Sequence, residues 1–214
     1  MSRTIIKLFF YLCILTVLPS YAQNAVHYYF KTMDIRNGLS QNTVYQILQD
    51  RKGFMWFGTK DGLNRYDGLS YRVYKKENSG LGKNFITALY EDHEGNIWIG
   101  TDGGVFIYNP VLDSFTAFNQ TSDKGTVIKD FVTMIGSDEY DNIWISVENQ
   151  GLFCYNHEKR LWNYLHDSGM SNVARFWLNE STCWLALYAD NLYYTKDNFR
   201  SEEHTSELQS RFGI

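Results

Sequence analysis

Few side chains of this 214-residue chain stand at the spacings that catalysis or metal binding requires. The histidines at positions 27, 93, 157 and 166 share no ligand spacing, and none pairs with a cysteine at the interval a zinc site uses. They read as surface or turn residues. The run Glu91-Asp92-His93-Glu94-Gly95-Asn96 has enough oxygen to suggest calcium, yet it lacks the alternating ligands and closing Glu of a calcium hand. Asp50-Arg51-Lys52-Gly53 holds the same place in an earlier segment, so both read as hairpins. Carboxylates such as Asp61, Asp67 and Asp102 could cleave a glycoside if two of them stood about 5 to 9.5 Å apart. Each precedes a glycine, Gly62, Gly68 and Gly103, and a turn role explains all three together. Elbow, phosphate-loop and kinase signatures are absent. No catalytic, cofactor-binding or metal-binding residue is assigned, and no cofactor is expected.

The residues that do recur are structural. Trp56, Trp98, Trp144 and Trp184 stand 40 to 46 residues apart, each inside a repeated phrase. Gly53 to Thr59 reads Gly-Phe-Met-Trp-Phe-Gly-Thr and Gly95 to Thr101 reads Gly-Asn-Ile-Trp-Ile-Gly-Thr, so Gly58 and Gly100 belong to the repeat with their tryptophans. Later copies drift, with Ser146 and Ala186 at the glycine position.

Around each Trp lie apolar runs of strand length. Val44 to Asp50, Ile86 to Asp92 and Phe131 to Ile135 precede it; Asp61 to Tyr66, Gly103 to Tyr108 and Gln150 to Tyr155 follow; Tyr71 to Tyr74, Ser114 to Phe118 and Leu161 to Leu165 close each unit. Aromatic and β-branched residues alternating with polar ones suit a twisted, half-buried sheet. Asp-Gly and Gly-Gly pairs provide the positive φ of tight hairpins, and glycine interrupts every segment too often for an amphipathic helix. Four β-runs at a period near 40 to 45 residues are the signature of a propeller blade. The expected fold is therefore all-β, a β-propeller of about four blades of four antiparallel strands. The repeated Trp is expected to pack blade on blade, burying on the order of 150 to 250 Å² each.

The ends carry different text. Arg3 and Lys7 precede an apolar run from Leu8 to Leu18, then Pro19 and Ser20-Tyr21-Ala22; residues 1–22 read as a secretory signal cut after Ala22, too short in its apolar core for a membrane span of about 20 residues. Export permits disulfides, but Cys154 and Cys183 fall at non-equivalent places in neighbouring repeats and read as two lone buried thiols. From Arg200 the text Arg-Ser-Glu-Glu-His-Thr-Ser-Glu-Leu-Gln-Ser looks like a translated sequencing adapter, so residues 200–214 are read as a non-native tail and 23–199 as a partial propeller. The formal charge of −4 gives no basic face for nucleic acid and no polybasic stretch for a membrane surface.

The repeats resemble those of the two-component regulator propellers, the sensory region of hybrid two-component histidine kinases. The resemblance rests on Asn37-Gly38-Leu39-Ser40-Gln41-Asn42 and on Gly53 through Gly68, and it extends more weakly from about Val26 to Phe199. It implies a periplasmic module that senses glycan breakdown products, with an oligosaccharide as ligand. It also implies a parent anchored in the inner membrane as a homodimer and signalling through a phosphorelay to transcription. The chain itself is expected to sense or bind rather than catalyse; a polysaccharide-active propeller enzyme or an interaction scaffold are the alternatives. His27 to Lys31 stands where the fourth run of a blade belongs, and the family implies about seven blades. An incomplete ring is therefore expected, an open arc with an exposed edge. Ligand contacts are sought in non-repeating loops such as Asn78 to Lys83 and Asn119 to Lys124.

Overall fold

The computed structural model describes residues 28–156, 158–163, 172–179, 182–188, 192–196 and 209–210. The chain divides into two compact units, Met1–Thr32 and Met33–Ile214. Of the first, residues 28–32 are described; they form no strand, and Tyr28, Tyr29 and Phe30 are exposed. The segment read as a signal lies outside the described residues.

The second unit opens with a short 3-10 turn, Ile35–Asn37. Among the described residues, sixteen strands follow in four antiparallel sheets, each of four strands in sequence order. Blade 1 is β1 (Val44–Gln49), β2 (Met55–Thr59), β3 (Gly62–Tyr66) and β4 (Tyr71–Tyr74); blade 2 is β5 (Ile86–Glu91), β6 (Ile97–Thr101), β7 (Gly104–Asn109) and β8 (Ser114–Ala117). Blade 3 is β9 (Val132–Ser137), β10 (Ile143–Val147), β11 (Gly151–Tyr155) and β12 (Leu161–Asn163); blade 4 is β13 (Val173–Asn179), β14 (Thr182–Leu187), β15 (Leu192–Lys196) and β16 (Gln209–Ser210). The fourth place of blade 4 thus falls to two residues of the segment that the sequence sets apart as a tail, pairing Tyr194 with Gln209 and Tyr193 with Ser210. Among the described residues there is no α-helix and no helix long and apolar enough to cross a membrane.

First strands pack side by side, β1 on β5, β5 on β9 and β9 on β13. Among the described residues the ring does not close: the fold is an all-β propeller arc, as expected. Three apolar clusters fill the three seams between blades. At the first seam Trp56 lies 5.1 Å from Tyr108 of the next blade, and at the second Trp98 lies 5.9 Å from Tyr155.

Each of the first three tryptophans is locked by an aspartate six residues upstream. The indole Nε1 of Trp56 donates to Asp50 Oδ2 at 2.7 Å, that of Trp98 to Asp92 Oδ2 at 2.9 Å, and that of Trp144 to Asp138 Oδ2 at 3.0 Å. The same carboxylates cap the hairpin between strands one and two. Asp50 accepts from the amides of Lys52 and Phe54, Asp92 from that of Asn96, and Asp138 from those of Tyr140 and Asn142. One side chain therefore satisfies a buried indole N–H and fixes a turn, and an indole buried without an acceptor is costly. Blade 4 has Leu178 at that position and a shorter turn, Asn179 pairing with Thr182. Trp56, Trp98 and Trp144 are buried, whereas Trp184 is half-buried.

The small residue two places after each Trp sets the blade spacing. A Cβ on Gly58 would meet Ile86 Cγ2 of blade 2 at 2.8 Å, and one on Gly100 would meet Val132 Cγ1 of blade 3 at 2.6 Å. Where Ser146 replaces the glycine, its hydroxyl donates to the carbonyl of Val173 in blade 4 at 2.7 Å, beside a 2.9 Å bond from Thr133 Oγ1 to the same oxygen. Polar bonding holds the seam there, where glycine elsewhere permits direct contact.

Candidate functional site

The ladder between the first and second strands skips one residue in every blade. The register shifts past Tyr45, Thr87, Thr133 and Ala174. A bulge re-aims the residue it ejects, and in blade 1 that residue is Tyr45, 47% exposed. Its ring lies 4.7 Å from Phe85, the residue just before β5, and Phe85 lies 5.5 Å from Phe131, the equivalent residue before β9, edge to face. Three blades thus contribute one aromatic each to a continuous arc at one rim of the propeller. Edge-to-face and tilted pairs at this separation are mutually attractive, which holds the half-buried rings in place.

Cationic and polar groups border the arc. Lys60, in the β2–β3 hairpin, places its ammonium 5.9 Å from the Phe85 ring centroid. In the corresponding hairpins of blades 2 and 3, the amide of Asp102 donates to the Phe85 carbonyl at 3.3 Å and that of Glu148 to the Phe131 carbonyl at 2.8 Å. Arg175, exposed beside the blade 4 bulge, donates to the Thr133 carbonyl at 3.0 Å. The hydroxyl of Thr87, at the blade 2 bulge, is buried and finds no hydrogen-bond partner. The arrangement offers ring faces for stacking with donors and acceptors around them.

The loops named from sequence are occupied with their own backbone. Asn78 accepts from the Lys75 amide and donates to the Val73 carbonyl, while Leu81 is buried. Asp123 accepts from the Asn163 amide at 2.8 Å, and Ser122 from the Thr126 amide. These polar side chains brace loops against strands.

The remaining candidates take structural places. Asp61 pairs with Lys75 at 2.6 Å. Asp67 accepts from the amides of Leu69 and Ser70, bonds that hold its carboxyl below the usual carboxylate range, the Ser70 bond contributing most. Asp61 and Asp67 flank the two ends of β3, roughly 20 Å apart at about 3.3 Å per residue, twice the separation that glycoside cleavage uses. His93 lies beside Glu94 and Asp141, and His157 and His166 lie outside the described residues. Among the described residues no group of three His, Cys, Asp or Glu side chains is placed to hold a metal. Cys154 and Cys183 are free thiols buried in the seam between blades 3 and 4, and burial pushes both thiols up, Cys183 to about 12.

One polar clasp was invisible in sequence. Asp113, in the β7–β8 turn, receives the Tyr108 hydroxyl at 2.7 Å and pairs with Arg72 of blade 1 at 2.7 Å, while Arg65 of blade 1 donates to the Tyr108 oxygen at 2.9 Å. The Arg65 guanidinium also lies over the Trp56 and Phe54 rings. Cation–π and charge-assisted bonds of this kind tie blade 1 to blade 2 on the solvent side of the apolar seam.

Blades, bulges and bordered rings define a propeller with an aromatic arc across blades 1 to 3. Residues 38–61 and 80–103, in blades 1 and 2, match the two component regulator propeller family. Over 54 residues the chain is 44% identical to Histidine kinase P4 of Formosa agariphila, a match covering 25% of this chain and 4% of that protein. The fold matches the extracellular domain of a hybrid two component system from B. thetaiotaomicron at a TM-score of 0.72 and 23% identity, over 85% of this chain and 26% of that one. A second extracellular domain from the same organism matches at a TM-score of 0.67 and 26% identity, over 80% and 25%. The chain spans about a quarter of the solved structures that it matches.

Proposed function

We propose that this chain is an exported, ligand-sensing propeller region of a hybrid two-component sensor histidine kinase, that it binds an oligosaccharide released from a larger glycan, and that it has no catalytic role of its own. The setting is the periplasm, with the parent protein anchored in the inner membrane and signalling through a phosphorelay to transcription. The observation that carries the binding role is the arc Tyr45, Phe85 and Phe131 with Lys60 at its border. Pyranose rings present flat C–H faces that stack on aromatic groups and hydroxyls that bond to neighbouring polar side chains, and pockets with few convergent polar groups on an apolar base bind small molecules well. Similarity to regulator propellers and to extracellular domains of two-component systems supports the sensory setting.

Calorimetric titration of the purified chain against a panel of neutral and acidic oligosaccharides tests this reading. Binding of at least one sugar is expected, weakened tenfold or more by Tyr45→Ala or Phe131→Ala, substitutions at half-exposed rings. Absence of binding across the panel, or hydrolysis of any of the sugars, overturns it.

A further inference from the structure

The seam between blades 1 and 2 is not filled to its end. Beside the hairpins that join first to second strands, at the opposite end of the blades from the aromatic arc, it opens into a pocket of about 270 Å³. Ile97 and Tyr108, both buried, form its base, and Pro110 and Val111, the latter 86% exposed, form an apolar lip. The next seam shows why the space is there. Tyr90 of blade 2 reaches across to Ser137 of blade 3, hydroxyl to hydroxyl at 2.6 Å. The ladder counterparts of that pair in the first seam are Leu48 and Glu91, and an aliphatic side chain cannot make such a bond. Glu91 accepts instead from the Arg51 amide of blade 1 at 3.0 Å.

Charge is divided across this pocket. Blade 1 contributes Arg51 and Lys52, and blade 2 contributes Glu91 and Glu94. The Arg51 guanidinium donates to the His93 carbonyl of blade 2 at 2.7 Å. Neither it nor the Lys52 ammonium forms an ion pair among the described residues. A guanidinium carries several N–H donors in a rigid fork, so one bond to a carbonyl aims the group and leaves donors for a carboxylate. Glu94 accepts from the Asn96 side chain at 3.3 Å through one oxygen, and its other oxygen lies 4.0 Å from His93 Nε2, beyond hydrogen-bond reach. Both hairpins are pinned at their turns by Asp50 and Asp92, so these charges stand on fixed supports, and preorganised groups bind at lower cost in order.

We propose that this pocket binds a free α-amino acid with an apolar side chain. Its carboxylate bonds to Arg51 with Lys52 beside it, its ammonium to Glu94, and its side chain lies against Tyr108, Pro110 and Val111. An ion of a single sign leaves charge of the other wall uncompensated as it displaces water, which is costly; a zwitterion answers both walls. The volume, just below the ~300 Å³ at which ligand pockets usually begin, suits so small a molecule. This site is separate from the aromatic arc, and the proposal does not rest on the oligosaccharide reading.

Calorimetric titration of the purified chain with leucine, methionine, valine and phenylalanine tests the site. At least one should bind. Its N-acetyl derivative, which lacks the ammonium, and its amide, which lacks the carboxylate, should each bind about tenfold more weakly, the effect of losing one charge-assisted bond. Arg51→Gln and Glu94→Gln, at exposed side chains, should each weaken the amino acid by a similar factor with an unchanged circular dichroism spectrum, and Lys52→Gln by less. No binding of any of the four, equal binding of the N-acetyl or amide derivative, indifference to Arg51→Gln or Glu94→Gln, or loss of binding in Tyr45→Ala, which would place the amino acid on the arc, overturns the proposal.

Discussion

Replacing Asp92 with alanine removes three hydrogen bonds at once. Its carboxylate accepts from the Trp98 indole at 2.9 Å, from the Asn96 amide at 2.8 Å and from the Asn96 side chain at 3.1 Å. The indole bond is buried, with Trp98 at 4% and Asp92 at 7% exposure; stranding its donor costs about 2 kcal/mol, within the range for charge-assisted bonds. The two bonds to Asn96 face partly into water and add about 0.5 kcal/mol each. Asp92→Ala should therefore destabilise the fold by about 3 kcal/mol, more than a hundredfold in the unfolding equilibrium. Urea unfolding followed by tryptophan fluorescence measures this. A double-mutant cycle with Trp98→Phe, which keeps an aromatic ring and deletes the donor, should return a coupling of about 1 to 2 kcal/mol. A loss below about 0.5 kcal/mol for Asp92→Ala, or strictly additive single costs, would refute the claim that the aspartate acts through the indole.

Gly100→Ala would drive a Cβ to 2.6 Å from Val132 Cγ1 and 2.9 Å from Ala88 Cβ. It should cost about 1 to 3 kcal/mol by overpacking, read as a lower urea midpoint. Asp113 is held below the usual carboxylate range chiefly by the Tyr108 hydroxyl, with Arg72 adding to the effect. A depressed acid stabilises the fold above its unfolded pKa of about 3.9 and loses that contribution as pH falls through the lower folded value. Unfolding midpoints should accordingly drop below about pH 4, and Asp113→Asn should flatten the drop; an unchanged profile would remove the clasp from the account. Cys154 and Cys183 are buried with raised pKa values. Neither should react with an aromatic disulfide reagent at neutral pH until the chain is unfolded.

The array was readable because its signals repeat: Trp at a fixed place, glycine two residues later and Gly-containing turns after it specify strand, seam and hairpin in turn. The strand order within each blade follows from that periodicity, except the fourth strand of blade 4, Gln209–Ser210, which lies beyond the repeat text. Asp50, Asp92 and Asp138 were less obvious, since a carboxylate six residues before a Trp becomes meaningful only when the intervening hairpin folds it back over the indole. Even so, the spacing recurs in three repeats and stops at Leu178, a signal open to a reader who asks where a buried indole finds its acceptor. The aromatic arc was not legible. Tyr45 is not the repeat equivalent of Phe85 and Phe131; it reaches them because a bulge turns it out of the ladder, and a bulge leaves no mark in composition. The loops from Asn78 and Asn119 looked free in sequence because side chain to backbone bonding cannot be seen there.

The uneven distribution of the aspartate locks has a kinetic consequence. In a linear array stability is close to a sum of unit and nearest-neighbour contributions, and assembly can start anywhere and spread. Blades 2 and 3 have both a locked indole and a covered surface on each side; blade 1 has the lock and one seam; blade 4 has one seam and no lock. Assembly should begin in the middle pair and reach blade 4 last, and opening should run the other way. Amide exchange would then slow stepwise from β13 back to β6, so that the chain records in the protection of its strands the order in which it came together.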